Sequence, residues 1–329
     1  MNERSVILVE ANSIQKTARD RLTFSDWGKP LSMDSYLRRE QYLRSQSWAQ
    51  ESMKTWLLWD CTQDLCFSSC ETFAMQSQFL ELNGKTFGIA SVYTEPQYRN
   101  QGWASLLLKK LGEELFRNSQ NPQALILFSE VGASIYEKLG YKKCENLEYY
   151  LDLLPKTSAG TGKIKNSEAR FFTHTDASHL WTQAQAEVSQ LGGNFQVLTS
   201  QSQLDWYLAR ERFYHAALRT RLPSEAGVRI GESLLFWVND LRTKSLKILS
   251  GFSNSASETQ TLMSCAQEIA STRNLDSLRV WSTEPLVGLS EALPWDRKIP
   301  NYESLPMILP IHPSLACEDW KWISRSSWV

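Results

Sequence analysis

The stretch GIASVYTEPQYRNQGWASLLLKKL, Gly88 to Leu111, changes its periodicity half-way along. Thr86 to Thr94 reads as a strand, whereas Ala104, Leu107, Leu108, Leu111 and Leu115 recur at the i, i+3, i+4, i+7 spacing of one helical face. The link between them is Arg99-Asn100-Gln101-Gly102-Trp103-Ala104. A turn from strand to helix leaves the first N–H groups of the helix unpaired, and with the helix dipole behind them they form an anion site suited to a pyrophosphate. Gly102 can take a φ closed to other residues, and Ala104 keeps the helix start slim enough for an anion to approach the backbone.

Upstream, Val6 to Val9 reads as a strand, followed by helices capped by Ser13 and Asp34, and then by strands at Trp56 to Trp59 and Ser68 to Phe79. Asn83-Gly84 predicts the hairpin turn into the strand that ends at Thr94. Downstream come a fully apolar strand, Ala124 to Phe128, a short helix from Ala133 stopped by Gly140, and a strand from Glu148 to Leu153.

The second half repeats this order. Strand Ala169 to Phe172 precedes helices over Ala177 to Gln190 and Gln201 to Ala217, strands Ser233 to Val238 and Leu246 to Gly251, a helix Glu258 to Arg273 and a strand Leu278 to Trp281. A final strand is expected at Leu305 to Leu309. Between the halves, PKTSAGTGKIKNS, Pro155 to Ser167, loses the apolar pattern. The expected division is therefore a domain over 1–154, a linker over 155–167 and a second domain over 168–329, an α/β (α+β) fold with a duplicated architecture.

A length of 329 residues suits two domains. With 35 Lys and Arg against 36 Asp and Glu, no global field attracts nucleic acid or an anionic bilayer, and neither is an expected partner. No apolar run approaches the roughly 20 residues of a membrane span, and six cysteines, too sparse for a disulfide scaffold, fit a reducing, cytoplasmic setting. Cys61, Cys66 and Cys70 crowd one segment, but their spacing contains no C-x-x-C pair and no histidine lies nearby, so no metal site is expected.

Arg99, Gly102 and Ala104, between a strand and an amphipathic helix, make the chain resemble the GNAT acyltransferases, whose acyl-CoA motif is Arg/Gln-x-x-Gly-x-Gly/Ala. The resemblance implies a mixed sheet flanked by helices, with acetyl-CoA as cosubstrate. It also implies pyrophosphate contacts from Arg99, Asn100, Gln101, Gly102, Trp103, Ala104 and Ser105, and pantetheine and thioester contacts from the splayed backbone of Val92, Tyr93 and Thr94. Tyr136, in LILFSEVGASIYEKLGYK, lies where the family often uses a tyrosine as general acid, although an aromatic packing role fits the same position. A phenol with a pKa of about 10 is a suitable proton donor to a thiolate. Where many members have Asn at the end of the preceding strand, this chain has Ser129-Glu130.

Arg38-Arg39-Glu40, Ser69-Cys70-Glu71-Thr72, Phe128-Ser129-Glu130 and the Trp-rich second half resemble one branch, the fungal lysine acetyltransferases. The implied acceptor is a small-molecule amine, free L-lysine first, with Arg38 or Arg39 meeting its carboxylate. Deprotonating a lysine amine at pH 7 costs about 4.6 kcal/mol, so a base is needed, and Glu71, Glu130 and Glu95 are the candidates. Glu71 can equally anchor the amine or pair with an arginine. The second half has Phe252 to Ser257 where the phosphate loop would be, without its basic residue or Gly-x-Ala spacing, so one CoA per chain is expected. A protein amine, a polyamine, or a silent CoA-binding module are the alternatives.

Overall fold

A computed structural model describes residues 6–153, 168–301, 304–312 and 314–328. The expected linker, 155–167, lies outside the described residues. Strand β1 (Val6–Glu10) leads into helices α1 (Ser13–Trp27), α2 (Met33–Arg44) and α3 (Ser47–Ser52). The caps fall slightly earlier than expected. Asn12 accepts from Gln15 N in a reciprocal box at α1, and Ser32 accepts from Ser35 N at α2, because each of these oxygens reaches a free N–H of the first turn.

Strands β2 (Met53–Asp60), β3 (Leu65–Phe79) and β4 (Leu82–Thr94) form the expected meander. Its hairpin turn is Leu80-Glu81, however, not Asn83-Gly84. Leu80 and Glu81 both have positive φ, and Phe79 pairs with Leu82. Gly84 lies inside β4, where a Cβ would come within 2.6 Å of the Asn121 carbonyl oxygen. Its glycine serves a close backbone approach rather than a turn. Helix α4 (Trp103–Asn118) then crosses to β5 (Pro122–Ser129), which runs parallel to β4. The one-turn α5 (Ser134–Glu137), the short β6 (Lys142–Lys143) and β7 (Leu147–Asp152) follow.

The second half runs β8 (Arg170–Thr173), α6 (His174–Gln190), β9 (Phe195–Leu198), α7 (Gln201–Ala217), β10 (Glu225–Ile230), β11 (Ser233–Asp240), β12 (Ser245–Phe252), α8 (Ala256–Thr272), β13 (Ser277–Trp281), β14 (Arg297–Pro300) and β15 (Leu305–Pro310). One sheet has the order β1-β2-β3-β4-β5-β15-β6, with β9 added beside β3; the other reads β8-β10-β11-β12-β13-β7-β14. The two orders correspond strand for strand, including one parallel pair each, β4 with β5 and β12 with β13.

The correspondence holds only because the halves exchange strands. β15, from the end of the chain, lies antiparallel to β5, and β7, from the first half, lies antiparallel to β13. The division expected at 155–167 therefore does not separate the two sheets. Each exchanged strand covers an edge of apolar residues that its own half leaves bare: Leu125, Ile126 and Leu127 on β5, Leu278 and Val280 on β13.

Leu107, Leu108, Leu111 and Leu115 of α4 pack on one face of the first sheet, and Leu262, Met263, Ala266 and Ala270 of α8 on the second. A third core joins the halves, with Phe73, Ile126 and Phe128 meeting Phe236, Leu249, Trp206 and Trp281. Cutting the chain after residue 153 deprives β5 of β15 and β7 of its sheet. The expected product is an aggregating fragment without a cooperative near-UV CD melt, recovered by co-expression with the second half; a fragment that melts sharply by itself would contradict the exchange.

Candidate active site

The ladder between β4 and β5 runs from Lys85 and Pro122 to Ile89 and Leu127 and stops there, although the strands continue to Thr94 and Ser129. The cause lies on the other edge of β4. Between Ser69 and Glu71 of β3 the register slips, and Ser91 takes a φ of 51°, so the bulge turns β4 away from β5. Arg19, from α1, holds the bulge in place. It is 5% exposed and donates from Nε to Ser69 Oγ (3.1 Å), from Nη1 to Glu71 Oε1 (3.0 Å) and from Nη2 to the Ser91 carbonyl oxygen (2.8 Å).

Behind Arg19 lies an ionic network. Arg44 grips Asp20 bidentately and stands 3.5 Å from Glu71, Glu40 pairs with Arg39, and the three arginines balance the three carboxylates. Burial works to raise the Glu71 carboxyl, but Arg19 and Arg44 outweigh it and hold the group below the usual carboxylate range. Burial alone dominates at Asp20, whose pKa is raised despite Arg44.

Past β4, a single turn at Pro96–Tyr98 leads through Asn100 (φ 61°) to Gly102 (φ 85°), where α4 starts with no side chain capping it. The loop's side chains are tied back. Arg99 Nε donates to the Thr94 carbonyl oxygen at 2.9 Å, Gln101 to that of Gln97, and Trp103 stacks on Phe67 with 4.1 Å between ring centroids. What the turn presents is therefore main chain, including the N–H groups of Trp103, Ala104 and Ser105. A Cβ at Gly102 would meet nothing within 4 Å, so the left-handed φ, not crowding, calls for glycine here. These residues fit a diphosphate ester: an uncapped sixteen-residue helix start behind a left-handed loop.

Within the splay lies a cavity of about 210 Å³, lined by Ile89, Ala90, Ser91 and Val92 on one side and Phe128, Ser129, Glu130 and Tyr136 on the other, with Glu71. Of the three strand residues expected here only Val92 lines it. The Tyr93 ring packs against Trp27, and Thr94 shares a hydrogen bond with Ser68. Tyr136 is 7% exposed, and burial raises its pKa. Glu95 lines a separate groove with Cys66 and Phe67, away from this cavity.

A larger cavity of about 380 Å³ adjoins the first and lies between the halves; Glu130, Arg210, Arg242 and Trp328 line both. Of the two arginines expected on α2, Arg39 lines the smaller cavity but is committed to Glu40 and Tyr214, and Arg38 is exposed and donates to Ser35. The larger cavity's cations, Arg210, Arg242, Lys247, Arg279 and Arg325, all come from the second half and were missed in the sequence. One signal was available, a lysine in the apolar run Leu246-Lys247-Ile248-Leu249.

Residues 68–143 match the family model "Acetyltransferase (GNAT) domain", and residues 154–294 match "LYC1 GNAT-like C-terminal domain". GNAT-type domains thus match in both halves of the chain. The protein is an acetyl-CoA-dependent acyltransferase, resembling a "Lysine acetyltransferase" of Yarrowia lipolytica with 24% identity over 289 residues, 70% of this chain and 72% of the relative. The fold is shared with a GCN5-related N-acetyltransferase from Anabaena variabilis (TM-score 0.60, 13% identity, 92% of this chain and 72% of that one). A probable N-acyltransferase from Enterococcus faecalis has it too (0.58, 14%, 93% and 73%), as does a putative acetyltransferase from Pyrococcus horikoshii (0.53, 10%, 100% and 98%).

The second GNAT-like half has its own splay, because the ladder of β12 with β13 ends at Lys247 and Arg279. This one is filled. Ser324 Oγ donates to the Leu249 carbonyl oxygen at 2.7 Å and lies 3.0 Å from the buried Glu284 carboxyl, which accepts from Gly251 N and Arg325 N. Burial pushes Glu284 up to about 8 against these donors. Helix α8 is capped by its own Ser255.

Arg19→Met should destabilise the protein by about 3–5 kcal/mol in urea unfolding, since it strands Glu71 without its nearest cation. Glu71 has a folded pKa below the ordinary 4.5, so its contribution is complete above that pH and is lost as pH falls through the folded value. The gap between wild type and variant should accordingly be widest above pH 4.5 and close on acidification; a gap independent of pH would count against the pair.

Proposed function

We propose that this enzyme transfers acetyl from acetyl-CoA to the primary amine of a small cytoplasmic metabolite, free L-lysine before others, by direct attack in a ternary complex. The observation that carries the reading is the confluence at Glu130 of two cavities. One opens beside an uncapped helix start and a parted strand pair, and the other is walled by charged residues of the second half. A soluble amine can meet an activated acyl group there without leaving the protein. The relative's description as a lysine acetyltransferase supports the choice of acceptor, and the free state of all six cysteines suits the cytoplasm.

In this reading the main-chain N–H groups from Trp103 to Ser105 take the pyrophosphate, and backbone of β4 beyond Ile89 polarises the thioester carbonyl, as an oxyanion donor does. Acetyl-CoA supplies the activated acyl group. Glu130, exposed where the cavities meet, accepts the amine's proton directly or through water. Glu71 is the poorer base, because its pKa is held down by two arginines; it serves the slot as a strut. The Tyr136 hydroxyl, a phenol and so protonated at neutral pH, gives its proton to the departing sulfur. With the second splay filled by Ser324 and Glu284, one CoA per chain is the matching stoichiometry.

The test is CoA release with L-lysine, a diamine and a lysine peptide. Tyr136→Phe should lower kcat about a hundredfold with little change in KM. Gly102→Glu, which places a side chain at positive φ and a negative charge in the anion site, should abolish acetyl-CoA binding in calorimetry while the melting curve stays cooperative. Preference for the peptide would favour a protein acceptor, and binding of acetyl-CoA without acceleration by any amine would favour a silent module.

A further inference from the structure

One face of α7 is unusual. Tyr207, Arg210, Glu211 and Tyr214 recur at i, i+3, i+4, i+7, the spacing that elsewhere carries core leucines, and all four line the larger cavity. Charge on the inward stripe of a helix needs a partner, and most of the ions around this cavity have one. Lys247 Nζ is 2.6 Å from Asp240 Oδ2, Arg325 is paired with Glu148, and Arg279 donates to Tyr150 Oη at 3.2 Å. Glu211 accepts from the Asn239 N and Nδ2 and stands 3.5 Å from His174.

Arg210 is different. Half-buried at the confluence of the two cavities, its guanidinium has no ion pair or hydrogen bond among the described residues. The Arg242 side chain, on the turn between β11 and β12, lines the same confluence and is likewise unpaired among them. Both guanidiniums help to lower the pKa of Asp240, after the larger effect of Lys247, so they converge on one region of the wall. The wall's own carboxylates at Asp240, Glu148 and Glu211 are bound to Lys247, Arg325 and Asn239, and a planar fork of five donors left without one of them is matched by a further carboxylate.

We infer that Arg210, assisted by Arg242, binds a carboxylate on the acceptor, and that this enzyme thereby selects amines carrying a carboxylate remote from the nucleophilic nitrogen. The inference rests on the amine-acetylation reading above and makes Arg210 its specificity-determining residue. It also explains why α7 interrupts its apolar face at that point, and it replaces the expected role of Arg38 or Arg39.

The experiment compares kcat/KM for L-lysine with that for 1,5-diaminopentane, the same carbon chain without the carboxylate, in wild type, Arg210→Met, Arg210→Lys and Arg242→Met. Wild type should prefer lysine. Arg210→Met should cut that preference about 10- to 100-fold, through KM for lysine, while turnover of the diamine and acetyl-CoA affinity stay near wild type. Arg210→Lys should restore part of the preference, and Arg242→Met should show a smaller loss. Because Arg210 has no hydrogen bond or ion pair to lose among the described residues, a folding defect is not expected, and one would lower both substrates together. An unchanged lysine-to-diamine ratio in Arg210→Met, or a wild type that prefers the diamine, overturns the inference and leaves amine acetylation standing. Failure of wild type to acetylate any amine overturns both.

Discussion

Arg19 donates to Ser69, Glu71 and the Ser91 carbonyl from inside the fold, and the parting of β4 from β5 depends on those three bonds. Two parallel strands side by side gain ladder bonds for every residue they add, so an open pair needs an opposing constraint. The bulge at Ser91 supplies it by consuming an extra residue against β3, and a buried cation fixes the bulge only because Glu71, Asp20 and Glu40 share the neutralisation of Arg19, Arg44 and Arg39. The ionic network behind the slot is thus a structural part whose product is geometry: free backbone in a cavity lined by Tyr136.

The same frame, built twice, has two outcomes. In the first half the helix start after the splay is uncapped and follows a left-handed glycine; in the second it is capped by Ser255, and Ser324 and Glu284 occupy the parted strands. Closing one slot lets the second half contribute elsewhere. Its helix α7 and the turn after β11 face the open slot across the larger cavity and bring charge to it. Strand exchange ties the halves together, since β7 and β15 bind each half into the other's sheet, and Phe128 packs against Trp281 across the join.

The local features were legible because neighbouring residues decide them. The spacing of Leu107, Leu108, Leu111 and Leu115 yields α4, and Gly102 yields the loop. Asn83-Gly84 misled for a physical reason: the pair is a favourable turn in isolation, but register with β3 and the approach of Asn121 placed the turn at Leu80-Glu81. Glu71 stood out as a carboxylate in an apolar strand, yet its partners are Arg19, 52 residues away, and Arg44. Nothing within a window around Glu71 names them.

By itself the sequence determined most of the order of elements, though not α3, β6, β9, β10 or β14, together with their repetition in two halves and the glycine turn from Arg99 to Ala104 into α4, all consequences of periodicity and backbone preference over a few residues. Only the tertiary structure decided which strands trade places, which of the two splays stays open, and that Arg210, Arg242 and Glu130 meet beside Trp328. Those outcomes depend on burial and on Coulomb pairing between residues far apart in the chain, where the free energy of a charge is set by whichever distant group the fold brings within a few ångströms.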